Sequence, residues 1–259
     1  MSNIETFQKL FQSPDRAAKP RQRGITHMMD KGLGMTEARS VVESSAQFID
    51  IVKFGWATSV VAGCIEEKIE LYRANNIEVC CGGTLFELAV YRGQLNAYLD
   101  FLRYYNFKMM EVSDGVFPLS TEEKIGYIKR FSQEFQVLSE VGSKDKDVVV
   151  APSKWVRDIK QDLLAGAWKV VAEGRESGTI GLYRETGEIR HGLIEDIELE
   201  IEQSTIIFEA PQKSQQTWLI KHFGGNVNLG NIPPAEVIPL ETLRQGLRAD
   251  TMFEKLGMS

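Results

Sequence analysis

Short apolar runs alternate with longer segments of helical period along most of the chain. The runs GITHMM, FIDIVKF, IEVCC, KMMEV, FQVLSEV, WKVVAE, TIIFEA and NVNLGN are β-branched or bulky and short enough to be strands. Between them lie segments such as IEEKIELYRANN, TEEKIGYIKRFSQEF, SKWVRDIKQDLLAGA and SQQTWLIKHFGG. There the apolar positions recur with the period of a helix that buries one face. Ser120 or Thr121 ahead of Glu122 and Glu123, and Ser153 ahead of Lys154, predict where two helices begin. Gly166 and the pair Gly224 and Gly225 predict where two of them stop.

Eight strand candidates alternating with helices, with no domain linker, predict an α/β fold: a single (β/α)8 TIM barrel. Its catalytic domain is expected over 24–259, behind an N-terminal lead-in at 1–23. The runs lack clean period-two alternation, as expected of strands covered by helices outside and packed inside. A doubly wound open sheet is the alternative. It would usually carry a glycine-rich phosphate fingerprint after its first strand, and neither GxGxxG nor GxxxxGK[ST] occurs.

A length of 259 residues is near the usual size of one such barrel, and 43% hydrophobic with 25% charged residues is ordinary globular composition. The net charge of −6 argues against general nucleic-acid binding, which needs clustered Lys and Arg. No apolar stretch approaches the roughly 18 residues of a membrane-span candidate. The lead-in has no apolar core of the signal-peptide kind, and the final EKLGMS carries no lipidation or peroxisomal signal, so the cytoplasm is expected. The basic cluster Lys19, Arg21 and Arg23 reads as solvated. Cys64, Cys80 and Cys81 form no disulfide framework, and Cys80 and Cys81 read as small buried core residues. His27, His191 and His222 are too scattered for a zinc site built on several histidines. The tryptophans are expected mainly to pack. GLYRETGEIRHG reads as a hairpin or long loop turning at Thr186 and Gly187, either a lid or a surface excursion.

In a barrel the strand C-termini share one face and their loops build the site. Strand one would then supply Asp30 and Lys31, strand two Lys53, and strand three Gly82, Gly83 and Thr84 with Glu87 beyond. Strand four brings Glu111, Ser113 and Asp114; strand five brings Glu140, Ser143 and Lys144. Strand six ends in Glu173, Arg175, Glu176 and Ser177; strand seven in Glu209, Lys213 and Gln216; strand eight in Asn228 and Asn231. Glu140 and Glu111, then Glu173 and Glu209, are candidate ligands for a hard cation such as Mg2+, which takes oxygen donors. Any one of them could instead pair with a neighbouring Lys or Arg; the set favours a cation. Lys31, Lys53, Lys144, Arg175 and Lys213 would receive a substrate with several negative charges. Ser177, Gln216 and Asn228, with the backbone at Gly82 and Gly83, complete the candidate substrate-binding set. Phosphate sites in barrels often use the loops after the last two strands, here APQKSQQ and NLGN.

The stretches DKG, FIDIVKFGW, CGGTLFE, VSDG, SEVGSK, AEGRESG, IFEAPQKSQQ, VNLGNI and ETLRQGLRAD together resemble the phosphosulfolactate synthase family, from about Gly24 to Thr251. These are the ComA-like proteins of coenzyme M biosynthesis and their bacterial relatives. The resemblance implies a barrel that uses Mg2+ to add sulfite to phosphoenolpyruvate, giving (2R)-phospho-3-sulfolactate. It implies Lys144 as general acid, with Ser143 where some archaeal members carry a second lysine. Lys53 is the second candidate for proton transfer, through a pKa lowered by burial. The resemblance also allows a homo-oligomer. Two alternatives stand beside it: a Schiff-base, aldolase-like lyase using Lys53, and a non-catalytic, stress-associated role like that described for plant relatives.

Overall fold

The computed structural model describes residues 3–11, 15–143, 150–175 and 177–254. Eight parallel strands form the barrel: β1 (Thr26–Asp30), β2 (Ile51–Phe54), β3 (Glu78–Cys81), β4 (Met109–Val112), β5 (Gln136–Val141), β6 (Lys169–Ala172), β7 (Ile206–Glu209) and β8 (Leu229–Ile232). Each lies within or against one of the eight apolar runs. Around them run α1 (Asn3–Leu10), α2 (Met35–Ser45), α3 (Thr58–Val61), α4 (Ile65–Ala74), α5 (Gly83–Tyr91), α6 (Leu95–Tyr104), α7 (Thr121–Phe131), α8 (Pro152–Leu164), α9 (His191–Glu200), α10 (Lys213–Phe223) and α11 (Val237–Arg244). The ladder runs β3-β2-β1-β8-β7-β6-β5-β4, so β8 pairs with β1, and β3 and β4 adjoin without a regular ladder.

Two apolar layers hold this together. The larger lies between the strands and the helices. The smaller fills the barrel itself with Ile25, Ile51, Cys80, Met109, Leu138, Val171 and Ile207. Cys80 and Cys81 are both buried free thiols.

Local chemistry sets the helix ends. Ser120 caps α7 and forms a reciprocal box with Glu123. Ala165 closes α8 with Gly166 following at φ +110°, and Gly224 ends α10 at φ +87°. The start of α8 differs from expectation: Ala151 is its N-cap and Pro152 its first residue, so a preset φ opens the helix rather than Ser153. The segment after β6 is a small hairpin, with Tyr183 bridging Ile189 and Gly187 N–H donating to Arg184 O.

The lead-in differs too. Lys19 donates to the carbonyls of Ala46 and Ile49, and Arg21 pairs with Asp50 at 3.0 Å. Arg16 reaches Glu241 on α11. Of the basic cluster only Arg23 is exposed, because the connector lies packed against the end of the barrel where the strands begin. Arg244 and Lys169 close that end from within.

Candidate active site

In five strands a barrel-filling residue is followed, two positions on, by a charged one. The pairs are Ile51 and Lys53, Met109 and Glu111, Leu138 and Glu140, Val171 and Glu173, Ile207 and Glu209. Because side chains alternate faces with period two, all five charged groups point into the barrel above its apolar filling. They line a cavity of about 220 Å³ at the strand C-termini, with Arg175, Asn231, Trp56, Met29 and Val116 around them.

Lys53 sits at the centre. Its Nζ lies 2.9 Å from Glu209 Oε1 and 3.5 Å from Glu111 Oε1. Burial alone would lower this ammonium; Glu111, Glu209 and Glu140 outweigh it and hold Lys53 well above its ordinary value. The expectation of a lowered lysine therefore reverses: three carboxylates face it, and the cation persists. A Schiff base needs the free amine, so the structure disfavours the aldolase-like alternative.

The carboxylates are held by backbone. Glu111 Oε2 accepts from Gly83 N–H at 2.8 Å. Glu209 Oε2 accepts from the N–H groups of Gly174 and Arg175, and Glu173 Oε1 also accepts from Arg175 N–H. The left-handed turn at Arg175 (φ +58°) aims that N–H inward. These donors thus hold glutamates, where the sequence suggested they would hold substrate. Beneath Glu111 lie His27 and Cys80, with His27 Nε2 3.8 Å from Cys80 Sγ and 3.9 Å from Glu111 Oε1. Burial, reinforced by Lys53, keeps His27 neutral.

Lys53, Glu111, Glu140, Glu173, Glu209, Arg175, Gly82 and Gly83 therefore converge on one cavity. Thr84 and Asn231, also expected at the strand ends, line it too; the other described candidates do not. Lys31 lies at the rim, its Nζ 4.8 Å from the centre of the Trp56 ring. Lys213 pairs with Asp250, Gln216 bonds Ala210 O, and Ser177 bonds Thr179. Asn228 lies at the opposite end of the barrel, bonded to Ile25 N–H and to the carbonyls of Ser204 and Ile206. Asp30 faces outward to Lys68 and Tyr72. Lys144 and Glu176 lie outside the described residues. Of the two loops expected to hold phosphate, NLGN reaches the cavity through Asn231 and APQKSQQ does not line it. Gln212 and Gln215 cap α10 mutually, and β8 runs into Pro233 and Pro234, which have no N–H to offer. Sequence reasoning passed over Trp56, Val116 and, as a binding residue, Asn231.

Fold and site together define the class, a (β/α)8 barrel enzyme with its chemistry at the strand C-termini. Solved barrels agree with this shape. A 3-hexulose-6-phosphate synthase from Salmonella typhimurium matches with a TM-score of 0.56, covering 85% of this chain and 97% of that one at 14% identity. An aldolase from Escherichia coli K12 matches at 0.55, covering 86% of each chain at 9% identity. Such low identity supports the fold alone.

The sequence is more specific. Residues 14–250 match the (2R)-phospho-3-sulfolactate synthase (ComA) family, and the chain belongs to it. It is 44% identical to the phosphosulfolactate synthase of Methanothermobacter thermautotrophicus over 93% of this chain and 96% of that protein. It is 42% identical to the Bacillus subtilis enzyme with the same coverage. A heat-stress-associated protein of Arabidopsis thaliana is 23% identical, covering 94% of this chain and 93% of its own.

Proposed function

We propose that this protein catalyses the Mg2+-dependent addition of sulfite to phosphoenolpyruvate, giving (2R)-phospho-3-sulfolactate, in the cytoplasm. The observation that carries the reading is the donor set of the cavity, where the carboxylates of Glu111, Glu140, Glu173 and Glu209 converge beside Lys53 and Arg175. Phosphoenolpyruvate brings a carboxylate and a phosphate, so its binding requires further positive charge. The donors present fit Mg2+: they are carboxylate oxygens, and Glu111 Oε1 is buried without a hydrogen-bond partner among the described residues. Glu111, Glu140, Glu173 and Glu209 would hold the ion. Once bound, it supplies a Lewis acid for the charge that develops on the substrate carboxylate.

The chain's own residues then have defined tasks. Sulfite sulfur bonds to the methylene carbon, the π electrons move toward the carboxylate, and a proton is delivered to C2. Nothing leaves, so the phosphate ester survives. Lys53 stays cationic and places fixed positive charge beside the reacting anion. The proton for C2 comes from Lys144, which follows β5 in the sequence. Met29 gives the cavity a buried apolar wall, and Trp56 and Val116 stand at its exposed mouth.

The test is turnover of phosphoenolpyruvate and sulfite with Mg2+, followed by loss of enol absorbance. The expected result is formation of phosphosulfolactate, abolished by EDTA and reduced about 100-fold or more in Lys144→Ala. Well-folded protein that consumes no phosphoenolpyruvate would overturn the reading.

A further inference from the structure

Strand β8 carries one residue too many. Thr26 of β1 lies opposite Leu229, but Met28 lies opposite Ile232, so two steps on β1 span three on β8. Leu229 and Ile232 both pack outward against the helices, which leaves Gly230 and Asn231 between them on the inner side. This is a β-bulge, a device that re-aims a side chain at a strand end. Asn231 has φ +55°, a left-handed conformation uncommon outside glycine. Asn231 lines the cavity and is 5% exposed, and its carboxamide bonds no described residue: Oδ1 is buried without a partner, Nδ2 donates to none, and the two ends exchange by rotation about the terminal bond.

A strained backbone that delivers an unsatisfied, buried carboxamide to a ligand cavity lacks a structural purpose, since both features cost stability. Lys53 and the backbone donors beside it are already committed, Lys53 to Glu209, Gly83 N–H to Glu111, Arg175 N–H to Glu173 and Glu209, which leaves the Arg175 guanidinium and Asn231 to meet an anion. We infer that Asn231 is a substrate-binding residue whose carboxamide N–H2 donates to an anionic oxygen of phosphoenolpyruvate. This inference rests on the substrate proposed above. The amide suits the place because it adds a donor without a charge to be balanced against Lys53.

The experiment compares wild type with Asn231→Gly and Asn231→Asp. Glycine removes the side chain yet suits φ +55°, so Asn231→Gly should melt no lower than wild type. Its KM for phosphoenolpyruvate should rise about 10- to 100-fold, the usual effect of losing a hydrogen bond to a charged group, with kcat changed far less. Asn231→Asp keeps the shape but sets a carboxylate against the anion, and should bind at least as poorly. Binding of phosphoenolpyruvate alone, read from tryptophan fluorescence, separates this inference from the reaction itself. Protein that binds phosphoenolpyruvate but does not use sulfite, with binding weakened in both variants, would support Asn231 while refuting the synthase reading. The inference falls if Asn231→Gly binds phosphoenolpyruvate as wild type does, or if wild type does not bind it. It also falls if Asn231→Asp retains affinity and needs less Mg2+, which would make residue 231 an oxygen ligand.

Discussion

Glu111 is where the electrostatics of this barrel are most exposed to measurement. Burial is the first cause that pushes its carboxyl up to about 7; Lys53 opposes, and Glu140 and Glu209 add to it. A carboxyl raised in the folded state is stabilised by its proton. That contribution is complete below the ordinary glutamate value and is lost as pH rises through about 7. Metal-free protein should therefore lose Tm as pH rises from about 4.5 to about 7, and Glu111→Gln should flatten that segment. Equal slopes in the two proteins would contradict the assignment. Five of the converging residues were legible because each follows an apolar interior residue by two, as in Leu138-Ser139-Glu140. Lys213 and Ser177 were not, because they lie beyond the strands, where a side chain's direction depends on loop geometry. The bulge at Asn231 explains the choice of Asn228 over it: no local pattern announces an inserted strand residue, and Asn228 looked equally well placed.

Helix α5 shows how an element is fitted to the site. Its Glu87 accepts from Ser113 Oγ and from the N–H groups of Val116 and Phe117, fastening the loop between β4 and α7 beside the cavity. Its first residue, Gly83, presses against β4 so closely that an added Cβ would lie 2.3 Å from Ser113 Oγ and 2.7 Å from Ser113 Cβ. Gly83→Ala should cost about 1–3 kcal/mol by forcing α5 off β4, and should lower turnover because Glu111 loses its anchor. Gly126, on the exposed face of α7, is the control, with nothing within 4 Å of its added Cβ. Gly126→Ala should gain up to about 1 kcal/mol from helix propensity. Chemical denaturation of both variants checks the pair, and a Gly83→Ala protein as stable as wild type would refute the packing argument. The barrel's alternation of strands and helices was readable throughout, but α5 itself offered little amphipathic signal. GTLFELAVY is apolar almost all along because it buries Leu85, Phe86 and Ala89 together. The α8 start shows a smaller lesson: a proline preset for helix geometry outranks the serine beside it.

The molecule divides into a reactive end and a fastened end. At the second, the buried Arg244 donates to the carbonyls of Gly225, Val227 and Ile25. Burial, with Arg16 adding repulsion, lowers its guanidinium to about 9. Arg244→Met strands the carbonyls of Gly225 and Val227, leaves Ile25 O with only the Leu229 N–H, and should cost about 3–5 kcal/mol. KM for phosphoenolpyruvate should stay unchanged, since the cavity lies at the other end of the strands. A shifted KM in a stably folded variant would break this separation. The lead-in reading of 1–23 hid this role: Lys19 and Arg21 look solvated in sequence because their partners lie elsewhere in the chain. The same fastening ties Arg16 to Glu241 across 225 positions of sequence. A nascent chain leaving the ribosome cannot make that contact until nearly all of it has been synthesised. Until β8 emerges, β1 and β7 present open edges to any neighbouring strand. Closure of this barrel is therefore a late, long-range event, and its hazard is aggregation during synthesis rather than instability afterwards.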